Sequence, residues 1–447
     1  MTERAPLPRR PPTMGHQVVG EAPGRRAVTC RGPGRGRGSA LLALGVLWAG
    51  LGPLPARLAD AAVPAVESVA SPTPLPVVFS PGSVTFVSLS TGWALGTVPC
   101  AGPGRCLALR RTVDGGRTWS AVTLPQGLLQ QVNRRMDGYP ELAGGASLTV
   151  RFADLRDGWI FGGVALNGTE RAVLWSTRDG GRTWHSLSSL PGMTAQAPIF
   201  DLEAARGTVY AMGQSSSTTY AGAVLAASPV RTDAWYKMAT PQLGFPAGGA
   251  NPTGDIVLQG GRGWLVEGND RGITGSARLL PDGQWAPWSP PCKAVGNSYA
   301  VPAAANGSVL YVECQMGGFA SQLSPAAPKG AALGSYWLYQ STDGGLHFQP
   351  VTQLGAGFPK AGAQQLPIVL GAASAPGSIF GDRGGNLMAS FDGGHHWQAV
   401  YHGSVSYVGF TSPTQGVAIT QVSQSPSSPS SLAITRDGGH HWQTVSF

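Results

Sequence analysis

Apolar residues along the chain fall in short runs, each halted by Gly, Asp or Ser, and no long stripe of helical period is present. Segments such as CLALRR (106–111) and WHSLSSL (184–190) read as strands. Glycine turns at Gly92-Trp93, Gly158-Trp159, Gly207, Gly263-Trp264, Gly307, Gly377 and Gly416 each follow one apolar strand and open another. Phe86–Trp93, Phe152–Trp159 and Phe410–Val417 share one spacing. The pattern predicts many short antiparallel strands joined by tight turns.

A second kind of turn alternates with the first. Five segments follow Ser/Thr-x-Asp-Gly-Gly-x-x-Trp/Phe: TVDGGRTW (112–119), TRDGGRTW (177–184), STDGGLHF (341–348), SFDGGHHW (390–397) and TRDGGHHW (435–442). Asp-Gly-Gly supplies the positive φ that hairpin turns need, and the Asp side chain can accept hydrogen bonds from turn amides. The aspartates at 114, 179, 343, 392 and 437 are 65, 164, 49 and 45 residues apart, so the step of 164 hides two degenerate copies. Ser228–Trp235 and Asp282–Trp285 are those copies. Seven glycine turns alternating with seven Asp-type turns give four strands per repeat of about 52 residues. The expected fold is all-β, a seven-bladed β-propeller of four-stranded antiparallel blades.

The Asp-Gly-Gly segments resemble the Asp-box (BNR) repeat. With the Gly-Trp turns, residues 80–447 are most similar to the photosystem II stability/assembly factor family and its non-photosynthetic bacterial relatives. The resemblance implies a structural role for Asp114, Trp119, Asp179, Trp184, Asp343, Phe348, Asp392, Trp397, Asp437 and Trp442. It also implies a role in binding a membrane protein during its maturation. Asp-box propellers include sialidases, xyloglucanases, sorting receptors and assembly factors, so the repeat does not select an activity.

Composition agrees with the strand reading: 65 Gly and 37 Pro in 447 residues cut helices short, while 13 Trp and 42% hydrophobic residues supply a core. The net charge of +8 is misleading until it is located. Residues 1–61 hold nine Arg against Glu3, Glu21 and Asp60, so the rest of the chain is left near neutral, which excludes a nucleic-acid footprint. Within 1–61, an Arg/Gly-rich stretch, an apolar run from Ala40 to Leu54 and Ala59-Asp60-Ala61 read as a signal peptide or N-terminal anchor. A Pro/Ala/Ser-rich linker (62–79) and the propeller (80–447) follow, giving an extracytoplasmic body that meets a membrane only through an uncleaved leader. Cys100, Cys106, Cys292 and Cys314 are an even set in an exported chain, which favours two disulfides, with free buried thiols as the alternative.

For function, the sequence favours binding over catalysis. His395-His396 and His440-His441 are adjacent pairs, whose side chains diverge on a strand, so no metal site and no cofactor is expected. The Arg-Ile-Pro motif of sialidases is missing, there is no G-x-S-x-G elbow, and no pair of acids outside the boxes stands out. The long insertions (97–105, 124–147, 214–223, 315–335, 352–366, 421–431) all fall on the face opposite the tight turns. The longest carries Arg134, Arg135, Asp137, Tyr139 and Glu141, with Arg134, Arg135 and Tyr139 as candidate binding anchors. The expectation is a monomeric, non-catalytic scaffold for a protein or cell-surface polymer. A secreted glycoside hydrolase, sialidase-like or glucanase-like, on the same fold is the alternative.

Overall fold

The computed structural model describes residues 79–100, 105–133, 146–166, 169–216, 222–240, 253–259, 261–269, 272–292, 300–316, 327–331, 335–355, 371–372, 375, 377–383, 385–421 and 429–447. The leader and linker, and the anchors Arg134, Arg135 and Tyr139, lie outside these residues. Seven four-stranded antiparallel sheets, each built from consecutive strands, form a ring: a seven-bladed β-propeller. The blades span 80–122, 146–186, 199–237, 253–287, 300–355, 371–402 and 404–444. The two degenerate segments form the turns between third and fourth strands of blades 3 and 4.

The first strand of each blade is innermost and packs beside the first strand of the next. Its side chains alternate. Val84, Val150, Leu202, Ile256 and Val408 are buried between blades, and the residues between them face the neighbouring inner strand or the central channel. Inner strands are also stitched by side chain to backbone: Ser83 accepts from Val150 N–H at 3.1 Å and Asp201 from Ile256 N–H at 2.7 Å; Asp382, on the second strand of blade 6, accepts from Val405 N–H of the inner strand of blade 7 at 3.1 Å. Blades 1 and 7 share no strand. Their junction is closed by Ser430, whose N–H donates to Ser80 Oγ at 2.9 Å, and by Phe79 against Phe447, ring centroids 4.4 Å apart.

The Asp-Gly-Gly turns fold by one rule. In blade 1, Thr112 Oγ1 donates to Asp114 Oδ1 (2.8 Å) and accepts from Gly116 N–H (2.9 Å), and Trp119 Nε1 donates to Gly116 O (3.2 Å). Both glycines of every intact turn have φ between 74° and 98°, the left-handed region where a side chain is strained. Blade 5 departs from the rule because Phe348 has no N–H to donate. There Trp288, from the end of blade 4, reaches across and gives Gly345 O its bond at 2.8 Å. Trp288→Phe should therefore destabilise the protein by about 1–3 kcal/mol through an unsatisfied buried carbonyl, read from denaturant midpoints. An unchanged midpoint would show that Gly345 O finds another donor.

Two disulfides tie connections down. Cys100–Cys106 closes the link between second and third strands of blade 1, and Cys292–Cys314 joins the segment after blade 4 to the second strand of blade 5. A helix, Gln126–Asn133, follows blade 1 with Leu128 fully buried. Among the described residues no helix is long and apolar enough to cross a membrane.

Candidate functional site

The structure brings together residues that the sequence leaves apart. Arg151 on the inner strand of blade 2 forms an ion pair with Glu203 on that of blade 3, 2.7 Å between Nη2 and Oε1. Its Nε donates to Leu202 O at 3.4 Å, and the Tyr407 phenol, from the inner strand of blade 7, lies near enough to act on its charge. Asp201, two residues before Glu203, accepts N–H bonds from Leu202 (2.8 Å) and Ile256 (2.7 Å). Asp255, on the inner strand of blade 4, feels the charge of Asp201. Inner strands of four blades thus converge on one mixed cluster of three carboxyls, a guanidinium and a phenol. The side chains of Arg151 and Glu203 remain 18% and 25% exposed, so a ligand in the channel can reach them.

The electrostatics of this cluster are those of a site that keeps a proton at neutral pH. Burial pushes Glu203 up to about 7; the Arg151 charge opposes this and the Asp201 charge adds to it. Burial also raises Asp201, against the pull of Arg151 and of its two N–H bonds. Burial, with the Asp201 charge added, pushes Asp255 up to about 7 as well. Asp201 and Glu203, held beside one cation, cannot ionise independently and titrate together, while Asp255 answers to the Asp201 charge.

The turn residues are placed differently. Asp114, Asp179, Asp343, Asp392 and Asp437 sit at the outer turns, each bound to its own loop. A backbone bond from His396 holds Asp392 well below the usual carboxylate range, and the Thr118 hydroxyl does the same for Asp114. Their aromatic partners Trp119, Trp184, Trp397 and Trp442 each donate Nε1 to the second glycine's carbonyl. His396 and His441 bond the aspartates of their own turns, while His440 stacks on Phe391 with centroids 4.0 Å apart. Among the described residues no group of three His, Cys, Asp or Glu is placed to hold a metal ion.

No family model matches the chain, and no curated protein matches it. Solved structures do match. A polysaccharide lyase of a new family, PL25 ulvan lyase, aligns over 83% of this chain and 96% of its own, with 12% identity and a TM-score of 0.48. An α-L-arabinanase from Penicillium chrysogenum aligns over 80% and 96%, at 12% identity and 0.45. A GH74 xyloglucanase from Xanthomonas campestris aligns over 81% of this chain and 60% of its own, at 17% identity and 0.42. Likeness at these identities is likeness of fold.

Two expectations are corrected here: that the body is a non-catalytic scaffold, and that it is not an enzyme. The solved propellers it resembles process carbohydrates. The premise of the scaffold reading, that no acids outside the turns form a group, also fails, because Asp201 and Glu203 share Arg151 and Asp255 lies within the charge of Asp201. The missed signal was the repeat period. Arg151 and Glu203 are 52 residues apart and Asp201 and Asp255 are 54 apart, so each pair occupies one position in successive repeats.

Proposed function

We propose that the protein is an exported carbohydrate-active enzyme of the glycoside-hydrolase kind, with its reaction centre in the propeller channel. The observation that carries this is the Arg151–Glu203 pair flanked by Asp201, Asp255 and Tyr407. Glycoside hydrolysis needs one protonated and one ionised carboxyl on either side of the scissile bond. Glu203, raised to about 7, is the acid: its proton goes to the glycosidic oxygen as the carbon–oxygen bond breaks. Asp255, raised to about 7 as well, acts in its ionised form as the base, taking a proton from the water whose oxygen joins the anomeric carbon. Arg151, held by Leu202 O, fixes the Glu203 carboxyl in place, and Asp201 positions the inner strands of blades 3 and 4. The resemblance of the turns to Asp-box repeats fits this reading, since that repeat occurs in glycoside hydrolases, while the likeness to assembly factors is dropped with the scaffold.

The purified propeller, incubated with a panel of plant, algal and bacterial polysaccharides, should release new reducing ends from at least one. Products carrying a conjugated double bond, absorbing in the near ultraviolet, would replace hydrolysis by elimination. No chain cleavage on any substrate would remove the enzymatic reading.

A further inference from the structure

The turn face between blades 2 and 3 holds two adjoining cavities, of about 340 and 310 Å³, which share Asp154 and Arg231. Their place in the fold matters. The second is walled by Ala153, Ala204 and Ala205, at the turn-side ends of the two inner strands that carry Arg151 and Glu203. One strand residue separates Arg151 from Ala153 and none separates Glu203 from Ala204, so at about 3.3 Å per residue the cavity adjoins the channel pair.

The charge of this hollow is opposite to that of the channel. Four arginines, Arg156, Arg178, Arg206 and Arg231, line it against Asp154 and Asp157. Both aspartates are largely committed. Asp154 Oδ1 accepts N–H bonds from Arg156 (2.7 Å) and Asp157 (2.8 Å), while Asp157 is buried and raised, by that burial and by the Asp154 charge. Arg178 is anchored to Asp233 and to the carbonyls of Thr177 and Thr232, and its guanidinium lies over the Trp159 ring at 5.2 Å. Arg156 and Arg231 are exposed beside it, and exposed Leu155 forms an apolar part of the wall. Arg206 is also the only non-glycine with positive φ among the described residues, in a turn where Asn or Gly is the relaxed choice.

We propose that these cavities bind an acidic sugar, one bearing a carboxylate or a sulfate ester, in the same glycan chain whose scissile bond lies at the channel cluster. Planar guanidinium groups match both anions, and exposed Arg156 and Arg231 present them, while Arg178, spent on Asp157, Asp233 and two carbonyls, holds the wall in place. The inference rests on the glycan reading above and adds the substrate class.

Calorimetric titration of the full chain tests it with three probes: galacturonate oligosaccharides, sulfated galactan oligosaccharides and neutral galactan oligosaccharides of equal length. One acidic series should bind at least about ten-fold tighter than the neutral one, and the preferred series identifies the anion. Arg156→Gln with Arg231→Gln should erase that preference without moving the melting temperature, and Arg231→Lys should restore part of it. Equal affinity for all three series, or a preference that survives the double substitution, would overturn the proposal. Neutral glycans cleaved without acid selectivity would leave the hydrolase standing and remove this site. Acid-selective binding that depends on both arginines, with no glycan cleaved, would do the reverse.

Discussion

Glu203→Gln lowers glycan turnover by about 10²–10⁴-fold, the usual contribution of a general acid, and leaves the fold intact. Gln has the same shape and keeps an oxygen for Arg151 at the 2.7 Å position, but it has no proton to deliver. Asp255→Asn should cost as much, because the ionised partner of the acid is lost. The two together should cost little more than either alone, since residues that act as a unit are not additive. Asp201→Asn separates positioning from chemistry. Its two oxygens accept from Leu202 and Ile256 N–H groups, so one N–H would then face an amide N–H, and the melting temperature should fall along with turnover. Steady-state rates beside thermal melts decide the matter. Full activity in Glu203→Gln would take the reaction out of the channel.

Glu267→Gln should stabilise the protein at pH 8 by about 2–3 kcal/mol and change little near pH 4.5. Glu267 is fully buried on the second strand of blade 4. Its Oε1 accepts from Ala223 N–H at 2.8 Å, and Oε2 has no partner. Burial pushes its carboxyl up to about 7. The folded state therefore holds the proton more tightly than the unfolded chain, so stability falls as pH rises from the unfolded value through about 7. Gln keeps the acceptor for Ala223 and removes the charge. Glu313, buried on the second strand of blade 5 with its own unpartnered Oε2 and pushed well above its ordinary range, should behave in the same direction. The turn aspartates work oppositely. Asp392 and its counterparts are held low, so their contribution is present above the unfolded pKa of about 3.9 and is lost as pH falls below it. Chemical unfolding of both chains between pH 4.5 and 8 gives the answer; parallel curves would mean that Glu267 is not titrating.

The fold was legible because its punctuation repeats. Gly92-Trp93 and Asp114-Gly115-Gly116 mark the two turns of blade 1, and their copies mark the rest, even where Val230 stands in the aspartate position. A turn is local chemistry, and a single sequence states it directly. Site residues are a different matter. Arg151 and Glu203 lie on ordinary inner strands with no motif around them, and only the packing of successive blades pairs them. Tyr407 is farther still, reaching Arg151 from blade 7, and no spacing along the chain announces that contact. Compensation between blades was equally hidden: Phe348 looks like a tolerated variant of Trp until Trp288 is seen bonding Gly345 O. The long loops point toward Arg134, Arg135 and Tyr139, whereas the charged cluster stands on the first strands of the blades.

The pH dependence of kcat/KM on the cleaved glycan tests the central claim most directly, because that claim is about a proton held in the channel. With Glu203 and Asp255 both raised to about 7, activity should peak near that pH, falling above it as Glu203 loses its proton and below it as Asp255 gains one. In Glu203→Gln the alkaline limb should vanish from whatever activity remains. A wild-type profile that stays flat from pH 5 to 9, or an alkaline limb that persists unchanged in Glu203→Gln, would contradict the assignment of the reaction to this cluster.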